Sequence, residues 1–344
     1  WLSVWLLQLG AEVYGISNDV PSQPSMFEVL ELESKIHYQC IDVTNFNALN
    51  AAIQNIQPDF IFHLAAQAIV STSYTNPILT IQSNTLGTAH VLECVRLLDK
   101  KVAVVIITSD KVYDNVEQLA GYVESDLIGG KDIYSASKGA AELIFKGYWH
   151  SFFKDKHQVR IAVARAGNVI GGGDWSTDRI VADCMRKWSM NQTVTLRNPN
   201  ATRPWQHVLE PLSGYLLLGQ LLYEELLHVN GQAYNLGPYQ QAGITVLDVV
   251  NKLSSYFTGA NTMVNVQEDA SLKEAKLLQL NCDKAVIELN WRATFGFDEM
   301  TKLIADWYKN FYNNDGSVNM YDFTNDQIVT YHNHAFENNL SWTK

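Results

Sequence analysis

With 344 residues, 47% of them hydrophobic, the chain is long enough for one large α/β domain, alone or with a smaller partner. A net charge of −11 and a pI near 5.2 argue against nucleic acid or an anionic membrane surface as the main partner, so a phosphorylated ligand would need individually placed arginines. The most apolar long helix, 211–227, is interrupted by Ser213, Gln220, Glu224 and Glu225, no signal peptide is visible, and Cys40, Cys94, Cys184 and Cys282 form no C-x-x-C pair; together these read as a cytoplasmic protein with reduced thiols, no membrane span and no metal site.

The chain opens inside a helix, WLSVWLLQLG, closed by Gly10 as its C′ residue. Residues 11–16 read as a strand, 20–25 as a Pro- and Ser-rich loop, and 35–40 as a second strand followed by Asp42-Val43-Thr44. Thr44 or Asn45 can cap a helix running to about Ile56. Residues 59–64 (DFIFHL) form a buried strand ending in Ala65-Ala66-Gln67, and a long helix spans about 77–98. The run Ala103-Val-Val-Ile-Ile107 has the length and β-branched content of a strand buried on both faces. Thr108, Ser109, Asp110 and Lys111 stand at its carboxyl end, where open α/β sheets bind their ligands.

A helix from Tyr134 to about Phe153 follows, and Tyr134 and Lys138, at i and i+4, lie on one of its faces. A phenol beside an ammonium titrates below an isolated phenol, because the cation favours the phenolate. By itself such a pair sits as readily on a solvated face, and Ser109-Asp110 could be only a strand-ending turn or a helix N-cap. In this order, after a buried strand, they describe proton and hydride chemistry on an alcohol. A strand at 159–164 leads into Arg165-Ala-Gly-Asn168-Val-Ile-Gly-Gly-Gly-Asp174; no Gly-Lys-Ser/Thr follows, so this is not a phosphate-binding P-loop. The alternation predicts parallel βαβ units. Beyond 170 the strands shorten (193–196, 233–236, 263–266), and the tail from Asn313, rich in Asn and Asp, is expected to wrap the surface.

Five stretches carry a resemblance to a known family: HLAAQ (63–67), ITSDKVY (107–113), YSASKGAAEL (134–143), RAGNVIGGGDW (165–175) and RPWQHVLEPLSGYLLL (203–218). The chain resembles the extended short-chain dehydrogenase/reductases and, within them, the nucleotide-sugar 4,6-dehydratases; Asp110-Lys111 resembles the CDP-glucose branch, where other branches carry Asp-Glu and epimerases usually lack the acid. The resemblance implies a Rossmann-like doubly wound parallel sheet with a smaller C-terminal substrate-binding lobe, divided near residue 170 into an NAD-binding part (1–170) and a mainly substrate-binding part (171–344) from which some segments return to the main sheet. It implies NAD as cofactor, a nucleotide-sugar substrate, and a homodimer or homotetramer built through the Tyr134 helix and the helix at 77–98.

The family reaction is redox-neutral: the sugar C4 hydroxyl is oxidised, water leaves across C5 and C6, and the hydride returns to C6. Carried over to this sequence, Tyr134 takes the C4 hydroxyl proton, Ser109 hydrogen-bonds the same oxygen, and Lys138 lowers the Tyr134 pKa and meets the nicotinamide ribose. Asp110 protonates the departing C6 hydroxyl, while Lys111 or a neighbour removes the C5 proton; the competing reading of Lys111 is an ion pair with a carboxylate such as Asp110. Asp42 and Val43 are expected at the adenine, Ala65, Ala66 and Gln67 along the cofactor, and Asn168, Arg179 and Arg203 at the substrate diphosphate, whose geometry the arginine fork matches.

The family opens with a strand and a G-x-x-G-x-x-G turn for the pyrophosphate; Trp1 aligns just after it, and Ser17-Asn18 stand where an acid for the adenosine ribose is expected. The expectation is therefore a gap in the sheet between the strands near 11–16 and 59–64, and weak NAD binding by these 344 residues alone. Two rival readings remain at this point: an epimerase or another nucleotide's dehydratase on the same fold, and a cofactor-free binding protein.

Overall fold

The computed structural model describes residues 1–226, 228–238, 243–257, 264–266 and 277–343. The amino-terminal half runs α1 (Leu2–Gln8), β1 (Tyr14–Ser17), α2 (Met26–Val29), β2 (His37–Cys40), α3 (Phe46–Ile56), β3 (Phe60–His63), α4 (Val70–Thr75), α5 (Pro77–Ile81), a π-helical turn (Gln82–Leu86), α6 (Gly87–Arg96), β4 (Val102–Ile107), α7 (Ile133–Tyr148), a second π-helical turn (Trp149–Phe153) and β5 (Val159–Ala166). The remainder is β6 (Val169–Ile170), α8 (Ile180–Ser189), β7 (Val194–Leu196), β8 (Gln206–His207), α9 (Leu209–Tyr223), β9 (Ala233–Leu236), α10 (Val246–Ser255), β10 (Val264–Val266), α11 (Asp283–Leu289), α12 (Phe297–Tyr312) and α13 (Met320–Glu337).

The main sheet has four parallel strands in the order β3-β4-β5-β9, with Phe60 beside Ala103, Val104 beside Ile161 and Val163 beside Ala233. Pleating sends alternate residues to opposite faces, and both faces are covered. Ala103, Val105, Ala162 and Ala164 enter the larger core, shared with α9, α12 and α13. Val102, Val104, Ile106, Ile161 and Val163 enter a second core with residues of α3, α6 and α7. That double cover is why the β4 sequence is continuously apolar rather than alternating. Each fully buried Val or Ile contributes roughly 1.5–3 kcal/mol.

Strands β1 and β2 form a separate parallel pair. The sheet is thus divided between β1 and β3, where the sequence analysis expects a gap, and two large side chains of these strands stay partly open: Tyr14 is 40% and Phe60 41% exposed. Short parallel pairs β6-β8 and β7-β10 lie in the carboxyl-terminal half.

Helix starts follow local capping chemistry. The Asn45 side chain accepts from Ala48 N–H, fixing Asn45 rather than Thr44 as the cap of α3, and Asp132 accepts from Ser135 N–H at the start of α7. The predicted long helix 77–98 is interrupted by the π-helical turn at 82–86, and α4 precedes it unforeseen. The tail is corrected more substantially. Residues 320–337 form an 18-residue helix whose Met320, Ile328 and Tyr331 enter the larger core. Their helical spacing was masked by the intervening Asn and Asp. The predicted strand at 263–266 is seen as β10, Met263 lying outside the described residues, as does Leu227 at the end of the predicted helix 211–227. Cys40, Cys94, Cys184 and Cys282 are all free, and among the described residues no helix is long and apolar enough to cross a membrane.

Candidate active site

The site sits at the carboxyl ends of β3, β4 and β5, facing the amino-terminal half of α7. After β4 the chain turns at Ser109, whose hydroxyl accepts from Lys111 N–H and donates to Asp110 Oδ1 at 3.0 Å. Lys111 Nζ lies 3.5 Å from the same Oδ1, so in this state Lys111 is ion-paired with Asp110, the second of the two readings of that lysine. Asp110 Oδ2 is buried and has no hydrogen-bond partner among the described residues.

Tyr134 and Lys138 are both buried on α7. Burial raises the Tyr134 pKa, while the Lys111 cation, the Ser109 hydroxyl and the Arg179 cation oppose that rise. Lys111, from the turn after β4, thus favours the phenolate electrostatically. Burial lowers Lys138 to about 8, the Glu142 carboxylate one turn further along α7 working the other way.

Two networks missed by the sequence reading hold these groups in place. The first is centred on Glu142, which is 1% exposed, and Arg165, which is 0% exposed. Arg165 forks onto Glu142 through Nε and Nη2, Thr108 Oγ1 donates to Glu142 at 2.7 Å, and Arg165 Nη1 donates to the Tyr113 hydroxyl at 2.7 Å. Tyr113 in turn donates to Asn235 Oδ1 on β9 at 2.6 Å. Burial disfavours the Arg165 cation, but Glu142 more than offsets this and raises its pKa. One buried ion pair thereby fastens the ends of β4, β5 and β9 to α7. The available signal was Glu142 at i+4 from Lys138.

The second network runs from β3. Asn84, in the π-helical turn, accepts from Gln67 N–H at 2.7 Å and donates to the Gln67 carbonyl at 3.0 Å and to Ser137 Oγ at 2.9 Å. The loop Ala65-Ala66-Gln67 is thus fixed to α7, and π-turns recur where a helix must aim one such side chain. His63, held neutral by burial with a pKa lowered to about 3, meets Thr88 Oγ1 at 3.0 Å.

The other predicted residues make the following contacts. Asp42 Oδ1 accepts from Thr44 N–H at the end of β2, and the Val43 carbonyl meets His90 Nδ1 at 2.8 Å. Asn168 follows β5 with φ 28°, in the left-handed region. Its carbonyl accepts from Gln206 N–H at 3.3 Å, which brings the segment holding Arg203 alongside. Arg203 is half-buried there, its Nη1 donating to the Thr202 carbonyl at 2.9 Å. Arg179 Nε lies 3.7 Å from Asp174. Trp205 and His207 are buried core residues.

Buried polar atoms without a partner are uncommon in folded proteins. Here Gln67 Oε1, Asp110 Oδ2 and Asn168 Oδ1 are of this kind among the described residues. Three residues chosen from the sequence for ligand contact therefore carry unspent hydrogen-bonding capacity. Together with the phenol of Tyr134 and the ammonium of Lys138, they give donors, acceptors and a proton acceptor suited to a polar, phosphorylated ligand. No cluster of metal-ligating side chains occurs among the described residues.

Comparisons with known proteins show the family. The family model described as GDP-mannose 4,6 dehydratase matches residues 1–304. A CDP-glucose 4,6-dehydratase of Salmonella typhimurium is 42% identical over 313 residues, covering 90% of this chain and 87% of that protein. A CDP-paratose 2-epimerase of Salmonella typhi is 24% identical, covering 77% and 82%. Among solved structures, a UDP-glucose 4-epimerase of Thermotoga maritima shares the fold with a TM-score of 0.76 at 18% identity, covering 90% of this chain and 94% of that one. A Thermus thermophilus UDP-glucose 4-epimerase does so with a TM-score of 0.74 at 22% identity, covering 92% and 96%. The chain belongs to the GDP-mannose 4,6 dehydratase family.

Proposed function

We propose that the protein dehydrates CDP-glucose to CDP-4-keto-6-deoxyglucose with NAD as cofactor. The observation that carries this is the meeting of buried Ser109, Asp110 and Tyr134 with the partly exposed Lys111 at the end of β4, in a chain 42% identical to a CDP-glucose 4,6-dehydratase. The residues present fit the cofactor: Gln67 keeps a buried unpaired Oε1 on a loop pinned by Asn84, and Lys138 holds an ammonium on the same side. Asp42, Val43, Ala65, Ala66 and Gln67 would hold the adenosine side and Lys138 the nicotinamide ribose. The chemistry supplied by bound NAD is transient acceptance of a hydride.

Tyr134, as phenolate, takes the proton of the sugar C4 hydroxyl, and Ser109 orients that oxygen. The resulting ketone acidifies the C5 proton. Elimination needs a base and an acid, and the Asp110–Lys111 pair supplies both by one internal transfer. A proton passing from Lys111 Nζ to Asp110 Oδ1 across 3.5 Å leaves a neutral amine to remove the C5 proton and a carboxylic acid to protonate the leaving C6 hydroxyl. Asn168, Arg179 and Arg203 hold the diphosphate. In this reading residues 1–170 serve mainly the cofactor and 171–344 mainly the substrate.

The enzyme is cytoplasmic and acts as a homodimer or homotetramer, and its product enters deoxysugar biosynthesis of the lipopolysaccharide O-antigen type. Support for self-association comes from the outer face of α5 to α7, where Ile78, Leu79, Ile81, Leu86 and Leu143 are all exposed. The test is incubation with NAD⁺ and the CDP-, UDP-, dTDP- and GDP-linked glucoses in turn, followed by the alkali-stable absorbance of a 4-keto sugar. Product from CDP-glucose alone is expected; none from CDP-glucose would overturn the reading.

A further inference from the structure

We propose that Gly167 is the positioning residue for the Asp110 carboxyl, and that water elimination depends on residue 167 having no β-carbon; this rests on the role given to Asp110 above. A β-carbon built on Gly167 would stand 2.2 Å from Asp110 Oδ2, 2.7 Å from its Cγ and 3.1 Å from its Cβ. Its three nearest neighbours thus all belong to one side chain. Non-bonded heavy atoms rest at about 3.5–4.0 Å, so with any other residue here either the backbone of 167 or the carboxyl of 110 must move by about an ångström.

The backbone is the better held of the two. Buried Gln206 donates through Nε2 to the Gly167 carbonyl at 3.1 Å and to the Leu236 carbonyl at 2.9 Å. Its N–H reaches the carbonyl of the next residue, Asn168, at 3.3 Å. Two residues earlier, Arg165 is locked by Glu142 and Tyr113, and β5 itself is hydrogen-bonded to β4 on one side and β9 on the other. The Asp110 carboxyl, by contrast, is held at Oδ1 alone, by Ser109 Oγ at 3.0 Å and Lys111 Nζ at 3.5 Å. The carboxyl is therefore the part that yields.

Its displacement carries the acid away from the leaving hydroxyl and breaks the short path from Lys111, and a misplacement of 1 Å can cost about 100-fold in rate. The three nearest neighbours are all atoms of Asp110, and Ser109 is reached only through its hydrogen bond to that carboxyl, so the loss falls on elimination far more than on C4 oxidation.

The test is Gly167→Ala in the NAD-loaded enzyme with CDP-glucose under single-turnover conditions. C4 oxidation, read as NADH absorbance, is expected to stay within about 3-fold of wild type while formation of the 6-deoxy product slows about 100-fold, so that the NADH signal persists. Asp110→Asn is run alongside. Wild-type elimination in that variant would remove the role of Asp110 and, with it, the basis of the proposal. Slow elimination in Asp110→Asn with normal elimination in Gly167→Ala overturns the Gly167 assignment alone, as does an equal loss of both steps in Gly167→Ala. A melting cycle gives a readout independent of turnover. Gly167→Ala should lower the melting temperature in the wild-type background and by clearly less when residue 110 carries Asp110→Ala, which removes the two closest atoms and keeps only the 3.1 Å contact to Cβ; an equal drop in both backgrounds overturns the assignment.

Discussion

Glu142→Gln isolates the buried pair beneath the site. The substitution keeps the side-chain shape but removes the charge and turns an amide NH₂ toward the Arg165 donors. Arg165, fully buried, keeps its hydrogen bonds to the Tyr113 hydroxyl and the Glu124 carbonyl and one acceptor in the amide oxygen, but no carboxylate. Breaking one side of a buried ion pair costs about 3–5 kcal/mol, most of it the uncompensated charge. Unfolding entropy of about 2.1 cal/mol/K per residue, over 344 residues, converts a loss of about 4 kcal/mol into a fall in Tm of about 5–6 °C. Calorimetry of the wild type, Glu142→Gln, Arg165→Met and the double variant checks this. The double variant should cost clearly less than the two singles together, since it leaves no unpaired charge, and the coupling should exceed about 1 kcal/mol. A Tm for Glu142→Gln within 1 °C of wild type, or strict additivity, would show that the pair is not what ties α7 to the strand ends.

Tyr134→Phe should abolish C4 oxidation with the fold intact, because only a hydroxyl is removed; substantial NADH formation in single turnover would refute its role as the proton acceptor. The Lys138 ammonium, lowered by burial to about 8, is lost as pH rises through that value, so kcat/KM should fall on the alkaline side near pH 8; a flat profile to pH 10 would separate Lys138 from function. Glu210, buried and accepting from Thr294 and Phe295 N–H and the Tyr331 hydroxyl, has its pKa raised by burial to about 7. The folded state therefore binds the extra proton between about pH 4.5 and 7, so Glu210's contribution to stability is present below that window and lost as pH rises through it. Urea unfolding of Glu210→Gln should lack that slope, and an unchanged slope would refute the assignment. Ile78→Glu with Leu143→Glu should yield monomers by light scattering if the exposed face of α5 to α7 is the interface, and an unchanged mass would place the interface elsewhere.

The sequence by itself determined the elements of the sheet and the make-up of the candidate cluster at the end of β4, since both are short-range. A two-sided buried strand must read as a continuous apolar run, as 103–107 does, and Ser109, Asp110, Lys111, Tyr134 and Lys138 are carried on two adjacent elements whose spacing is set by strand and helix geometry. Tertiary structure alone decided which charges meet. Lys111, through the path of the turn after β4, brings a cation to bear on Tyr134. Arg165 finds Glu142 23 residues away, Asn84 reaches Ser137 across 53, and Gly167 shelters the Asp110 carboxyl. The same holds for α13, whose apolar face is diluted in sequence by Asn and Asp but becomes a core element once packed on α1 and α12. The reason is common to all of these. Side-chain direction at an element's end, and burial against distant strands, depend on where the chain returns, and no local spacing encodes that return.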